Sequence, residues 1–209
     1  MALQSSELLF SYNKDKSFSF PALRVAAGDS ILVLGPSGAG KSTLLNILAG
    51  LLDPDQGEVK IAQQDLFALS PSKREQFRAQ HIGMIFQKSF FLPYLSIAEN
   101  IELALKLQKH PLSKSDLKEQ LAILGIPHLY DKKPSECSVG EQQRASIARA
   151  LLQKPSLLLA DEPTSALDDE NTKTVATLLK KLAKEQGTAL AIVTHDQRLK
   201  TNFTQEYSL

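Results

Sequence analysis

"GPSGAGKST", residues Gly35 to Thr43, joins one apolar run to another and fits the pattern G-x-x-x-x-G-K-[ST] in full. Before it, "DSILVLG" reads as a short buried strand; after it, "KSTLLNILAGLL" reads as a helix that "DPDQG" brings to a stop. That strand–loop–helix context is what gives the motif physical meaning. The loop through Gly35, Pro36, Ser37, Gly38, Ala39 and Gly40 is flexible enough to wrap phosphates. Lys41 adds a point charge to the phosphates, Ser42 offers its hydroxyl to Mg²⁺, and the helix N-terminus, at which Thr43 closes the motif, adds the positive end of its dipole. A chain of this length with average residue usage matches the pattern on the order of 1% of the time. A nucleotide with its magnesium ion is the expected ligand.

A second half is supplied downstream by "SLLLADEP". Pro155 disfavours helix just before it, and the leucines read as a buried strand. Asp161 falls at the C-terminal end of that strand, where parallel sheets bind ligands, and is placed to hold Mg²⁺. Glu162 follows directly and is the natural general base or water-orienting group. The helical pattern "NTKTVATLLKKLAKEQG" and a last strand, "TALAIVTH", complete an alternation that implies a mainly parallel sheet flanked by helices. Its lysines Lys173, Lys180 and Lys184 read as a solvated face.

From about Gln87 to Lys154 the pattern changes. "SIAENIELALKLQKH", "SKSDLKEQLAILG" and "GEQQRASIARALLQK" are three successive helical stretches with almost no strand between them, an inserted helical block. With 209 residues the chain suits one large domain. Its 24 basic and 23 acidic side chains leave a net charge of +1, so nucleic acid is not an expected partner and no polybasic membrane patch stands out. A single cysteine, Cys137, excludes an internal disulfide and suits a reducing, cytoplasmic setting. No leader pattern is expected from the first residues, and runs such as "ILVL" and "LLLA" are too short to span a bilayer. Work at a membrane would therefore go through a docked partner.

Taken together, "GPSGAGKST", "FQ" at Phe86–Gln87, "SVGEQQR", "LLLADEP", "SALD" and "THD" occur in the order and spacing of ABC-type ATPase domains, which the whole chain resembles. Within that family it looks most like the lipoprotein-release, macrolide-export and cell-division group. The resemblance implies a P-loop NTPase fold of the α/β class, with a mainly parallel sheet core, an N-terminal antiparallel β-subdomain and an inserted helical subdomain. It divides a single ATPase domain, 1–209, into core and β-subdomain (1–87 and 155–209) and helical subdomain (88–154). It also implies roles. Tyr12 stacks on adenine, Gln87 contacts Mg²⁺ or the attacking water, Asp168 helps shape a dimer's sites, and His195 contacts the terminal phosphate. The other histidines, His81, His110 and His128, read as surface or structural.

In that family two copies pack head to tail, and a signature segment of each caps the ATP of the other. Here the segment is Cys137-Ser138-Val139-Gly140-Glu141, where the family pattern is Leu-Ser-Gly-Gly-Glu/Gln. Ser138, Gly140 and Glu141 are kept. Val139 strains the loop if its position needs a left-handed backbone, and costs little if it is already the first helical residue. Cys137, in place of leucine, reads as a small buried hydrophobe. Phe86, Phe90, Phe91 and Tyr94 crowd into nine residues and either build the helical core or line a groove for a membrane partner. The resemblance implies an ATP-hydrolysing homodimer, peripheral on the inner face of the cell membrane, driving integral-membrane permease subunits. A non-transport ATPase that moves a membrane signalling partner remains the alternative. A soluble ATPase of DNA repair or translation would normally carry a coiled-coil insertion, zinc cysteines or a second ATPase domain, and none is present.

Overall fold

The computed structural model describes residues 1–13, 16–107, 111–165, 167–203 and 205–209. In chain order, β1 (Leu3–Ser5), β2 (Leu8–Asn13), β3 (Lys16–Phe20), β4 (Arg24–Val25) and β5 (Ser30–Leu34) lead into α1 (Lys41–Leu48). Then come β6 (Val59–Ile61), β7 (Gln64–Asp65), α2 (Pro71–His81) and β8 (Ile82–Ile85). Helices α3 (Ile97–Leu107), α4 (Lys114–Ile123) and α5 (Val139–Leu151) follow, with 3₁₀ turns at Pro127–Leu129 and Pro134–Glu136. The chain closes with β9 (Leu157–Asp161), α6 (Asp169–Gln186), β10 (Ala189–Thr194), a 3₁₀ turn at Gln197–Asn202, and β11 (Gln205–Ser208).

Five strands form one parallel sheet in the order β11-β5-β10-β9-β8. Alternation along each strand sends side chains to opposite faces, and on β5, β8, β9 and β10 both faces are buried. Leu32, Leu34, Leu158, Ala160, Leu190 and Ile192 pack with Ile101, Leu121, Ile147 and Leu179 of the helices into one core. Ile31, Val33, Leu157, Leu159, Ala191 and Val193 face the other way, against Leu44 and Ile47 of α1 and the antiparallel strands. Those strands are β4-β1-β6-β7 and the hairpin β2-β3. Between 88 and 154 the described residues form no strand, and their buried side chains join the sheet's first core rather than closing a separate one.

Register decides where the site lies. Val193 pairs with Val33 on one side and with Asp161 on the other, so β5, β10 and β9 end side by side. The loops carrying Gly35, His195 and Glu162 therefore leave the sheet at one edge.

Several boundaries differ from the sequence reading. "SFSFPALRV" is two strands in two sheets, since β3 pairs with β2 while β4, beyond Pro21, pairs with β1. Helix α1 stops at Leu48, four residues short of the apolar pattern. Gly50, at φ 68°, lets its own N–H reach the Ile47 carbonyl and that of Leu51 reach Asn46, which closes the helix end. Strand β11 was not expected from "QEYS", which is polar and mostly exposed. Among the described residues no helix is long and apolar enough to cross a membrane.

Candidate functional site

The phosphate loop leaves β5 and turns into α1 at Gly40, whose φ of 91° suits glycine. A side chain there would also strike the Phe18 ring, with an added Cβ only 2.6 Å from it. Phe18 therefore packs directly beneath the loop. The N-terminus of α1 has no side-chain cap, which leaves its N–H groups for another acceptor. Lys41 folds back over the loop and donates through Nζ to the carbonyls of Gly35 (2.8 Å) and Pro36 (2.9 Å).

This loop forms one wall of a cavity of about 600 Å³. Ser37, Gly38, Gly40, Lys41, Ser42 and Thr43 line it on the helix side. Gln87, Asp161, Glu162 and His195 line it from the strand ends. Lys41, Ser42, Gln87, Asp161, Glu162 and His195, which the sequence put forward for phosphate, metal and water, thus share one space. Two more, Lys16 and Phe18, line it without having been anticipated. Tyr12 is exposed on the neighbouring strand, outside the cavity lining, and shares a 3.3 Å hydrogen bond with Thr43 Oγ1. It meets the Phe18 ring edge-on, centroids 6.3 Å apart. Gly35, Pro36 and Ala39 contribute loop backbone rather than cavity wall.

The carboxylates differ in environment. Asp161 is half-buried, and burial raises its pKa, with the adjacent Glu162 charge adding to the effect. A 3.4 Å hydrogen bond from Ser42 Oγ and the charge of Lys41 act in the opposite direction. Glu162 is buried and sits at φ 47°, a left-handed conformation that costs a non-glycine residue energy. Its N–H still donates to the Val193 carbonyl (2.8 Å), so the strained residue extends the sheet edge. Three donors fix its carboxylate: Thr194 Oγ1 to Oε2 at 2.6 Å, His195 N–H to Oε1 at 3.0 Å, and His195 Nδ1 to Oε1 at 2.6 Å. The buried Thr194 was not anticipated either; it is identifiable only once β10 is known to end beside β9.

The signature residues lie elsewhere. Ser138 caps α5, and Glu141 completes the capping box: Glu141 N–H donates to Ser138 Oγ (3.3 Å) while Ser138 N–H donates to Glu141 Oε2 (2.8 Å). Val139 is the first residue of the helix and has no left-handed backbone, so the valine costs little there. Its side chain is 60% exposed. Gly140 follows in the first turn. Cys137 is half-buried against the helical core, and burial raises its thiol pKa. Asp168 is exposed just ahead of α6, outside the cavity. Ala166 of the same segment and His110 lie outside the described residues. His81 hydrogen-bonds Ser156 through Nδ1, and His128 pairs with Glu141.

A second, apolar hollow of about 490 Å³ opens beyond Gln87, lined by Phe90, Phe91, Leu92, Leu103 and Arg149. The aromatics divide between the two readings. Phe91 packs against the core with the Arg149 guanidinium 4.7 Å over its ring, whereas Phe90, Leu92 and Tyr94 are exposed.

Comparison with known proteins gives this geometry a context. Residues 21–165 match the family described as ABC transporter, a span that takes in the phosphate loop, Gln87, the signature segment and Glu162 but stops before Asp168 and His195. The lipoprotein-releasing system ATP-binding protein LolD of Hydrogenovibrio crunogenus is 40% identical over 217 aligned positions, covering 100% of this chain and 94% of that protein. The ATP-binding cassette MJ0796, solved as a dimer in a post-hydrolysis state with ADP and Pi, superposes with a TM-score of 0.86 at 32% identity, covering 99% and 94% of the two chains. The cbiO1 protein of Clostridium perfringens, part of the ABC transporter complex cbiONQ, gives 0.81 at 27% identity, covering 93% and 78%.

Proposed function

This chain belongs to the ABC transporter family, as an ATP-binding and ATP-hydrolysing subunit, and from that premise we propose how its residues divide the work. The observation that carries the reading is the convergence of Lys41, Asp161, Glu162 and His195 on one cavity. Residues Gly35 to Thr43 wrap the triphosphate, and Lys41 exchanges its two carbonyl partners for phosphate oxygens. The base lies at the Tyr12 and Phe18 end, where aromatic faces are available. Glu162 takes the proton of the attacking water as the water oxygen bonds to the terminal phosphorus and the bond to the ADP oxygen breaks. Thr194 and His195 hold the Glu162 carboxylate in place, His195 also faces the terminal phosphate, and Gln87 orients the water.

A magnesium ion fits this donor set. Ser42 and Asp161 are hard oxygen donors, with Gln87 nearby, and Mg²⁺ commonly takes only one or two protein ligands beside its phosphates. Burial is the main cause of the raised Asp161 pKa and the Glu162 charge adds to it; a bound cation would act against both. When bound, the ion neutralises charge on the phosphates. Replacing Asp161 by Asn should lower Mg²⁺-dependent hydrolysis about a hundredfold. Unchanged hydrolysis at low Mg²⁺ would remove Asp161 from the metal site.

Two copies act together. Ser138, Gly140 and Glu141 face the nucleotide held by a second copy, with Asp168 at the same dimer surface, and the dimeric relative supports this. Residues 1–87 and 155–209 act as the nucleotide-binding core, and 88–154 as the helical part that carries the signature and the apolar hollow. That hollow, at Phe90 and Leu92, receives a cytoplasmic segment of an integral-membrane permease. The subunit is thereby held at the inner face of the cell membrane. By likeness to the lipoprotein-releasing relative, the cargo belongs to the lipoprotein or envelope class. A Leu92→Glu variant should bind ATP normally and fail to co-purify with the permease; retained co-purification would exclude the hollow as the contact.

A further inference from the structure

We propose that His128 is a positioning residue for the signature hydroxyl, acting through Glu141. The inference rests on the reading above, in which the signature segment serves a second copy's nucleotide. His128 sits on the 3₁₀ turn Pro127–Leu129, and Ile126 and Leu129 on either side of it are fully buried. The turn is thus anchored in the core while the imidazole, 51% exposed, reaches out to the start of α5. Its Nε2 lies 2.7 Å from Glu141 Oε1. Glu141 Oε2 meanwhile accepts from Ser138 N–H at 2.8 Å and from Ser138 Oγ at 2.9 Å.

Both carboxylate oxygens are therefore committed, one to a fixed turn and the other to the signature serine. A hydroxyl has a single proton, and while Ser138 gives it to Glu141 it has none for a phosphate. Meeting a nucleotide across the interface requires the hydroxyl to swing away, whereas the Ser138 N–H to Oε2 bond can stay. The terminal torsion of a glutamate is soft, and once the hydroxyl has left, the carboxylate is held by Ser138 N–H at Oε2 and, at Oε1 among the described residues, by His128. The three donors also hold Glu141 ionised, with its pKa lowered to about 2 and the His128 hydrogen bond the largest cause. With His128 in place both carboxylate oxygens stay fixed through the swing; without it Ser138 N–H alone holds the carboxylate, and the cap around the signature hydroxyl loosens.

A plain helix-capping role would lower stability and leave every functional ratio alone. A positioning role shows in the interface. In a Glu162→Gln background, His128→Ala should weaken ATP-driven dimerisation roughly tenfold, the scale of one hydrogen bond to a charged group. In the otherwise native chain the same change should lower kcat by a similar factor. Affinity for ATP, measured where the chain is still single, should stay within about twofold, because His128 is not in that cavity. His128→Gln, which keeps a donor, should restore dimerisation to within about threefold. The proposal is overturned if His128→Ala dimerises like its parent, or if glutamine fails to rescue while melting temperature and ATP affinity fall together. A Glu162→Gln chain that binds ATP yet stays single with His128 intact would instead overturn the two-copy reading, and this inference with it.

Discussion

Two helix starts in this molecule use the same geometry for opposite purposes. Helix α1 begins at Gly40 with no side-chain cap, inside a cavity walled by its own chain. Helix α5 begins at the exposed Val139, on the surface, with its cap filled by Ser138 and Glu141. The first leaves its N–H groups without a side-chain cap, the arrangement that suits an anion. The second is satisfied within the chain and must trade an internal hydrogen bond for an external one. Such a site engages only where a strong acceptor is brought to it, and in the function proposed here a phosphate carried by a second copy provides one.

The largest break in that contrast is Lys41→Ala. It should lower hydrolysis about a thousandfold and abolish tight ATP binding while leaving the fold intact, as read by turnover and thermal melting. Ser138→Ala should come next, lowering turnover about a hundredfold with ATP affinity of the single chain unchanged. It should also cost about 1 kcal/mol of stability through the lost cap. An affinity loss at Ser138 equal to that at Lys41 would erase the distinction between the two helix starts. Val139→Gly should change turnover less than about threefold, because valine already occupies a helical position. A rise above thirtyfold would mean that its side chain obstructs the interface.

The smallest effect concerns acid. The folded pKa of Glu141 is lowered from 4.5 to about 2, so its contribution to stability is present above 4.5 and is lost as pH falls toward 2. Melting temperatures across that window should fall more steeply for the native chain than for Glu141→Gln. Parallel slopes would mean that the carboxylate does not hold the start of α5.

Much of the first helix start was legible in the sequence, and less of the second. Gly35 to Thr43, Asp161, Glu162 and His195 are each local to a strand whose apolar run is plain, so their convergence follows from parallel pairing alone. Phe18 and Lys16 were hidden because their place depends on hairpin register, with Phe10 opposite Phe18 and a bulge between Ser11 and Asn13. Strand β11 was hidden because its sequence is polar and its pairing with β5 is a matter of backbone. At α5 the Ser-x-x-Glu cap is a readable local pattern. Its link to His128 spans 13 positions and a separate turn, and no periodicity announces it. Val139 was ambiguous for a different reason: the sequence left open whether it precedes the helix or begins it, and the helix begins there.

The most direct test of the contrast is the solution mass of the Glu162→Gln variant, with and without Mg-ATP. Loss of the Glu162 carboxylate as proton acceptor should leave bound ATP unhydrolysed. A nucleotide-dependent shift from one chain to two, reversed by Ser138→Ala, is the predicted result. A chain that binds ATP through its own loop and remains single would contradict the claim that the second helix start completes the first.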